Sequence, residues 1–149
     1  MIELGKLGSL VATFGSIRSK QRCFALAAEG KDGEALELVV RTRAITRNNP
    51  LASWDQELQL LEANLLLESG EPRLSQRALR GVFKRLKQSR HYNDDERAIL
   101  IRYGVSLLWL ARGRNDASCL LRVRHARRYD AGKVSGWLLN SFPNPNERS

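Results

Sequence analysis

Apolar residues return every three or four positions along most of this 149-residue chain, and the alternation of polar and apolar residues that marks a half-buried strand is absent. Trp54, Leu58, Leu61 and Leu65 follow spacings of 4, 3 and 4, which puts them on one stripe of a helix. Leu100, Tyr103, Leu107 and Leu110 make a second stripe, and Ile101, Val105 and Leu108 widen it. That segment is therefore expected to be the most buried helix. Between them, Leu79, Val82, Phe83 and Leu86 define the apolar face of one further helix. Start and stop signals agree with these spans. Ser53 with Gln56 and Asn93 with Glu96 have capping-box spacing, and Asp32 and Asp116 suit N-caps of two more helices. Gly30, Gly70 and Gly113 stand where helices should stop, since glycine takes the positive φ of a closing turn at little cost. The pattern predicts an all-α chain with helices near residues 16–29, 33–47, 51–69, 73–90, 94–112 and 115–128.

The three stop glycines are 40 and 43 residues apart, and each ends a similar apolar turn, "FALAAEG", "NLLLESG" and "LLWLARG". Seven positions before each stands a small residue, Cys23, Ala63 or Ser106, and five positions after stands another, Ala35, Ser75 or Ser118. Small side chains at matched places let two helices cross closely. Four positions before each glycine a large apolar residue, Leu26, Leu66 or Trp109, is placed to fill the space beside that crossing. The chain thus reads as one helical hairpin written three times.

This unit resembles the tetratricopeptide-repeat family, in which helix A carries a small and then a bulky residue, a glycine ends it, and helix B opens with a small residue. "GKDGEALELVVRTRAITRNNP" looks like the second half of such a unit, with Ala35 in the small position of helix B, Thr42 near the next and Pro50 closing the linker. The resemblance covers about residues 16–128. It departs from the family in period, about 34 residues there against separations nearer the roughly 40–47 of HEAT-type units. It departs also in the aromatic near the start of helix A, replaced here by Ser19, Gln59 and Arg102. The fold it implies is three stacked antiparallel hairpins, an α-solenoid with N- and C-terminal capping helices. A non-repeating helical bundle is the alternative. Leu7, Leu10, Val11 and Phe14 would cap one end, and Val134, Trp137, Leu138 and Phe142 the other. Residues 1–142 then form a single helical-repeat domain, and 143–149 a disordered tail without apolar anchors.

Composition adds two points. With 42% hydrophobic and 28% charged residues the chain is of ordinary globular type and long enough to bury a core. Its two cysteines, Cys23 and Cys119, lie within apolar helical pattern, which fits packing in a reducing compartment better than a disulfide framework. The first residues make a poor signal peptide, and no stretch reaches the length of a membrane span, so a cytoplasmic setting is expected. The net charge of +9 is unevenly spread. Residues 1–72 hold 8 Lys+Arg against 10 Asp+Glu, and the remainder 17 against 6. Arginine supplies 19 of the 25 cations, and guanidinium suits bidentate contact with phosphate or carboxylate.

Catalytic chemistry finds little foothold. His91 and His125 are the only histidines and neither has a ligand partner at metal spacing, so no metal and no cofactor is expected. Phosphate loops, nucleophile elbows and dinucleotide fingerprints are absent, and the acidic run at Asn93–Glu96 is what a helix dipole favours at its start. No catalytic residue is assigned. The family resemblance implies instead a concave groove holding a peptide or helix of another protein. It puts Asn64 where the family often carries an asparagine that hydrogen-bonds a bound peptide, with Lys20, Gln59, Arg102 and Tyr103 nearby. The expected function is a non-enzymatic scaffold, adaptor or chaperone-like module. The alternative is nucleic-acid binding by the basic half. Arg73, Arg77, Arg80, Lys84 and Lys87 recur at spacings of 4, 3, 4 and 3 as one positive stripe, and Arg122, Arg124, Arg127 and Arg128 add a second run. Aromatic residues are not interleaved with these cations, so base stacking is not indicated.

Overall fold

The structure, a computed structural model, describes residues 18–49, 54–114 and 116–126, with the backbone alone for 122, 125 and 126. Every regular element among them is a helix: α1 (residues 18–28), α2 (Asp32–Thr46), α3 (Asp55–Glu68), α4 (Pro72–Ala78), α5 (Val82–Gln88), α6 (Asp94–Ala111) and α7 (Ala117–Ala126). None of the described helices is long and apolar enough to cross a membrane. The capping segments expected at residues 7–14 and 134–142, the tail, Ser53 and Pro50 lie outside the described residues.

The three glycines do the same local work. Gly30, Gly70 and Gly113 hold φ of 79°, 81° and 86°. In each turn the glycine N–H donates three residues back, to Ala27, Leu67 or Leu110, and the next N–H donates five back, to Leu26, Leu66 or Trp109. This crossed pair satisfies carbonyls that a helix end leaves free, and it needs a left-handed residue at the glycine position. After Gly30 and Gly70 the next helix starts at once, with Lys31 and Glu71 as the residues before the first turn. Asp32, expected as the cap, is already inside α2, where it and Glu34 meet the positive end of the helix dipole. After Gly113 the turn is longer, and Asp116 caps α7 through its Oδ1, which accepts from the N–H groups of Ser118 (2.9 Å) and Cys119 (3.3 Å). The extra residues shift the register, so the expected small residue Ser118 is exposed and Cys119 is the buried one. Trp109 likewise points out, 39% exposed, with the Arg114 guanidinium 5.0 Å from its ring centre.

At the second turn the close crossing is seen directly: Ser75 Oγ donates to the Ala63 carbonyl at 2.7 Å, and both residues are fully buried. The capping box of α6 forms with both bonds, Glu96 N–H to Asn93 Oδ1 and Asn93 N–H to Glu96 Oε1. The single helix expected over 73–90 is two. Leu79 and Arg80 leave α4 in a turn, Gly81 takes φ 73°, and α5 starts afresh at Val82. Apolar period runs on through the break because Leu79, Val82 and Leu86 are all core residues.

The core is centred on α3, which packs against α2, α4, α5 and α6. Ten of its 14 residues are buried, against seven of 18 in α6, so the most enclosed helix is α3 and not α6 as the stripes implied. The second apolar stripe of α6, Ile101, Val105 and Leu108, is only half-buried. Leu58, Leu61 and Leu65 face one way and Leu60 another, which is why α3 needs neighbours on several sides. Helix α1 adds Cys23, Phe24, Leu26 and Ala27 to this core. Gly104 of α6 lets Phe83 and Leu60 approach, since a Cβ there would lie 2.9 Å from the Phe83 ring.

Candidate functional site

Enclosure of α3 forces its polar side chains to find partners inside the protein. Asp55, fully buried at the start of the helix, accepts from Arg43 Nε and Nη2 (3.3 Å each), from Arg85 Nη2 (2.9 Å) and from Thr46 Oγ1 (2.6 Å). One turn on, Gln59 takes Arg85 Nη1 on its Oε1 at 2.9 Å, while its Nε2 donates to the carbonyls of Ala78 and Arg80, both 2.8 Å away, where α4 breaks into α5. Glu57, also fully buried, is met by Lys20 Nζ (3.3 Å) and by the Tyr92 hydroxyl (2.6 Å), both on Oε2. Arg43 Nη1 reaches Glu62 Oε2 at 2.6 Å. Three carboxylates thus face three cations, Lys20, Arg43 and Arg85, drawn from α1, α2 and α5. Burial, with the Glu57 carboxylate beside it, pushes the Tyr92 hydroxyl far above its ordinary range, so it stays protonated and donates.

Four of the five expected groove residues belong to this interior. Lys20, Gln59, Asn64 and Tyr103 are all buried, and Asn64 Nδ2 donates to the Tyr103 hydroxyl and to the Val123 carbonyl of α7 (3.2 Å). In this fold they tie helices together and line no open groove. Arg102 alone of the set is exposed. The reason is that α3 and α6 face each other and α7 lies against α6, so the surfaces read as concave are used for packing.

Oxygens Oε1 of Glu57 and Gln56 and Oδ1 of Asn64 are buried with no hydrogen-bond partner. A carboxylate, a phenol and an ammonium at Glu57 have the ingredients of proton transfer. A substrate would have to reach them, and Glu57, Gln56 and Asn64 are sealed within the packed core. Among the described residues no group of three His, Cys, Asp or Glu could hold a metal ion. Both cysteines are free and buried, and burial pushes the Cys23 thiol up to about 11, which keeps it un-ionised and poorly nucleophilic at neutral pH.

Among the described residues, two solvent-exposed features could meet a partner. A cleft of about 420 Å³ runs between α1 and α2, with Leu26 and Leu38 in its floor, Arg18, Arg22 and Arg41 along its rim, and Glu34 and Glu37 among them. The other is cationic: Arg73, Arg77, Arg80, Lys84 and Lys87 are all exposed along α4 and α5, as the sequence stripe requires, although the stripe crosses a break. Of the second basic run Arg124 is exposed, the Arg122 side chain is not described, and Arg127 and Arg128 lie beyond the described residues. The cleft was missed by sequence reading because it needs α1 and α2 side by side, and its apolar floor residues looked like ordinary core. No protein-family model, curated protein or solved structure matches the chain.

Proposed function

We propose that the chain is a tetratricopeptide-like module of three hairpins, α1 with α2, α3 with α4 and α5, and α6 with α7, which captures a segment of another protein and catalyses nothing. The repeated glycine turn with its crossed pair of hydrogen bonds supports the hairpin reading, as does the Ser75–Ala63 crossing. Each hairpin packs on the next in chain order, α2 on α3 and α4 on α6, as a stack would. Two free cysteines fit a reducing, cytoplasmic setting.

The observation that carries the capture reading is the α1–α2 cleft. Its apolar floor and a rim of both charges match an amphipathic segment better than a small anion, since Glu34 and Glu37 would repel one. The expected groove around Asn64 is replaced by this end of the molecule. In the test, the purified chain retains a stoichiometric protein partner after nuclease treatment. Changing Arg22 and Arg41 together to Glu abolishes capture while thermal unfolding is unchanged, because both side chains are exposed. Capture that ignores this change, or no protein that survives nuclease, would sink the proposal.

A further inference from the structure

We infer that the outer face of α4 and α5 is a phosphate-backbone binding surface for double-stranded nucleic acid, one that reads no base sequence. From Pro72 to Asn93 the chain carries seven Lys and Arg and not one Asp or Glu. The fold spends one of the seven inside: Arg85 turns in to Asp55 and Gln59. The other six, Arg73, Arg77, Arg80, Lys84, Lys87 and Arg90, are all exposed. Of the acids near this strip, Asp55, Glu57 and Glu62 are committed to internal ion pairs and Asp94 pairs with Arg97, which leaves Glu71 exposed at the start of α4 and Asp95 exposed beyond α5.

A solvated helix face usually interleaves opposite charges three or four residues apart, each pair worth about 0.2–0.5 kcal/mol, and like charges cost as much. Here Arg73 with Arg77 and Lys84 with Lys87 stand at those separations with the same sign, within α4 and within α5. The face is therefore held against its own repulsion, which a polyanion relieves. Of the macromolecules that could do so, an acidic protein would want a buried apolar or aromatic anchor, and a lipid surface an apolar face to insert. This strip offers Leu74 as its one exposed large apolar residue and no exposed Trp, Phe or Tyr. A phosphate backbone needs neither, and the lack of aromatic platforms argues against single strands. Arginine, four of the six, forks onto phosphate oxygens.

The test uses the purified full chain and a labelled duplex of about 24 base pairs, so its failure leaves the protein-capture reading standing. Log affinity should fall with log salt at a slope of about −4.5 to −5.5, the value for five or six neutralised phosphates. Two duplexes of unrelated sequence should bind equally well. Arg77→Gln, Arg80→Gln and Lys84→Gln together should flatten the slope by about 3 and cut affinity more than tenfold at about 0.1 M salt, with helicity unchanged. Arg22→Glu with Arg41→Glu should leave duplex binding as it was. A salt-independent or undetectable complex, a triple variant that binds like the parent, or tighter binding to polyglutamate or to phosphatidylserine vesicles would overturn the inference.

Discussion

Asp55 shows how a single carboxylate can organise this interior. It stands at the first turn of α3, where a negative charge meets the helix dipole, and it gathers Arg43, Thr46 and Arg85 from 12, 9 and 30 residues away. Removing one member of a buried ion cluster leaves the others charged and desolvated, a loss of about 3–5 kcal/mol. Asp55→Ala is therefore expected to cost that much in urea unfolding, since it leaves Arg43 with Glu62 alone and removes the carboxylate that Thr46 and Arg85 share. Arg85→Ala should cost only about 1 kcal/mol, because Arg85 is one-third exposed and Asp55 keeps Arg43 and Thr46. Equal losses for the two variants would mean that the cluster is not centred on Asp55. None of this was legible in the sequence. Asp55, Glu57 and Gln59 fall off the stripe of Trp54, Leu58, Leu61 and Leu65, Gln59 was expected to line a groove, and their partners lie 9 to 37 residues distant. The available hint was Leu60, an apolar residue on the side away from that stripe, which signals burial on more than one side.

At the scale of elements, sequence and structure agree where the forces are local. Helix ends were legible because each stop depends on one glycine and the turn before it, and Asn93 with Glu96 formed the box their spacing implies. Disagreement falls where packing decides. The break between α4 and α5 is fixed by Gln59 holding the Ala78 and Arg80 carbonyls, which a helix would otherwise have used, and by Gly81 in the left-handed region. The crossing of α3 and α4 offers a direct check. Ala63 has no exposed surface and its carbonyl is already engaged by Ser75, so Ala63→Leu should destabilise the protein by about 1–3 kcal/mol, read as a lower urea midpoint at unchanged slope. A variant as stable as the parent would show room at the crossing that the geometry denies.

Across the whole molecule the charges are sorted by depth. The +9 excess was plain in composition and its skew to the second half was countable, but only the fold shows that Asp55 and Glu57 of α3 are internal while every cation of α4 and α5 except Arg85 faces solvent. Central placement of α3 has a consequence for how the protein is made. Its leucines leave the ribosome after α1 and α2 but before α4, α5 and α6, and the last residue of α6 is 43 positions beyond the end of α3. At about 5–20 residues per second that interval is roughly 2–9 seconds of synthesis, during which Leu58, Leu60, Leu61 and Leu65 lack most of their cover. A chain cut after residue 90 should therefore be poorly soluble and melt without cooperativity, and native-like melting of that fragment would show that α6 is dispensable. The nascent protein passes through a sticky adolescence, and a chaperone at the tunnel mouth would meet α3 before any partner does.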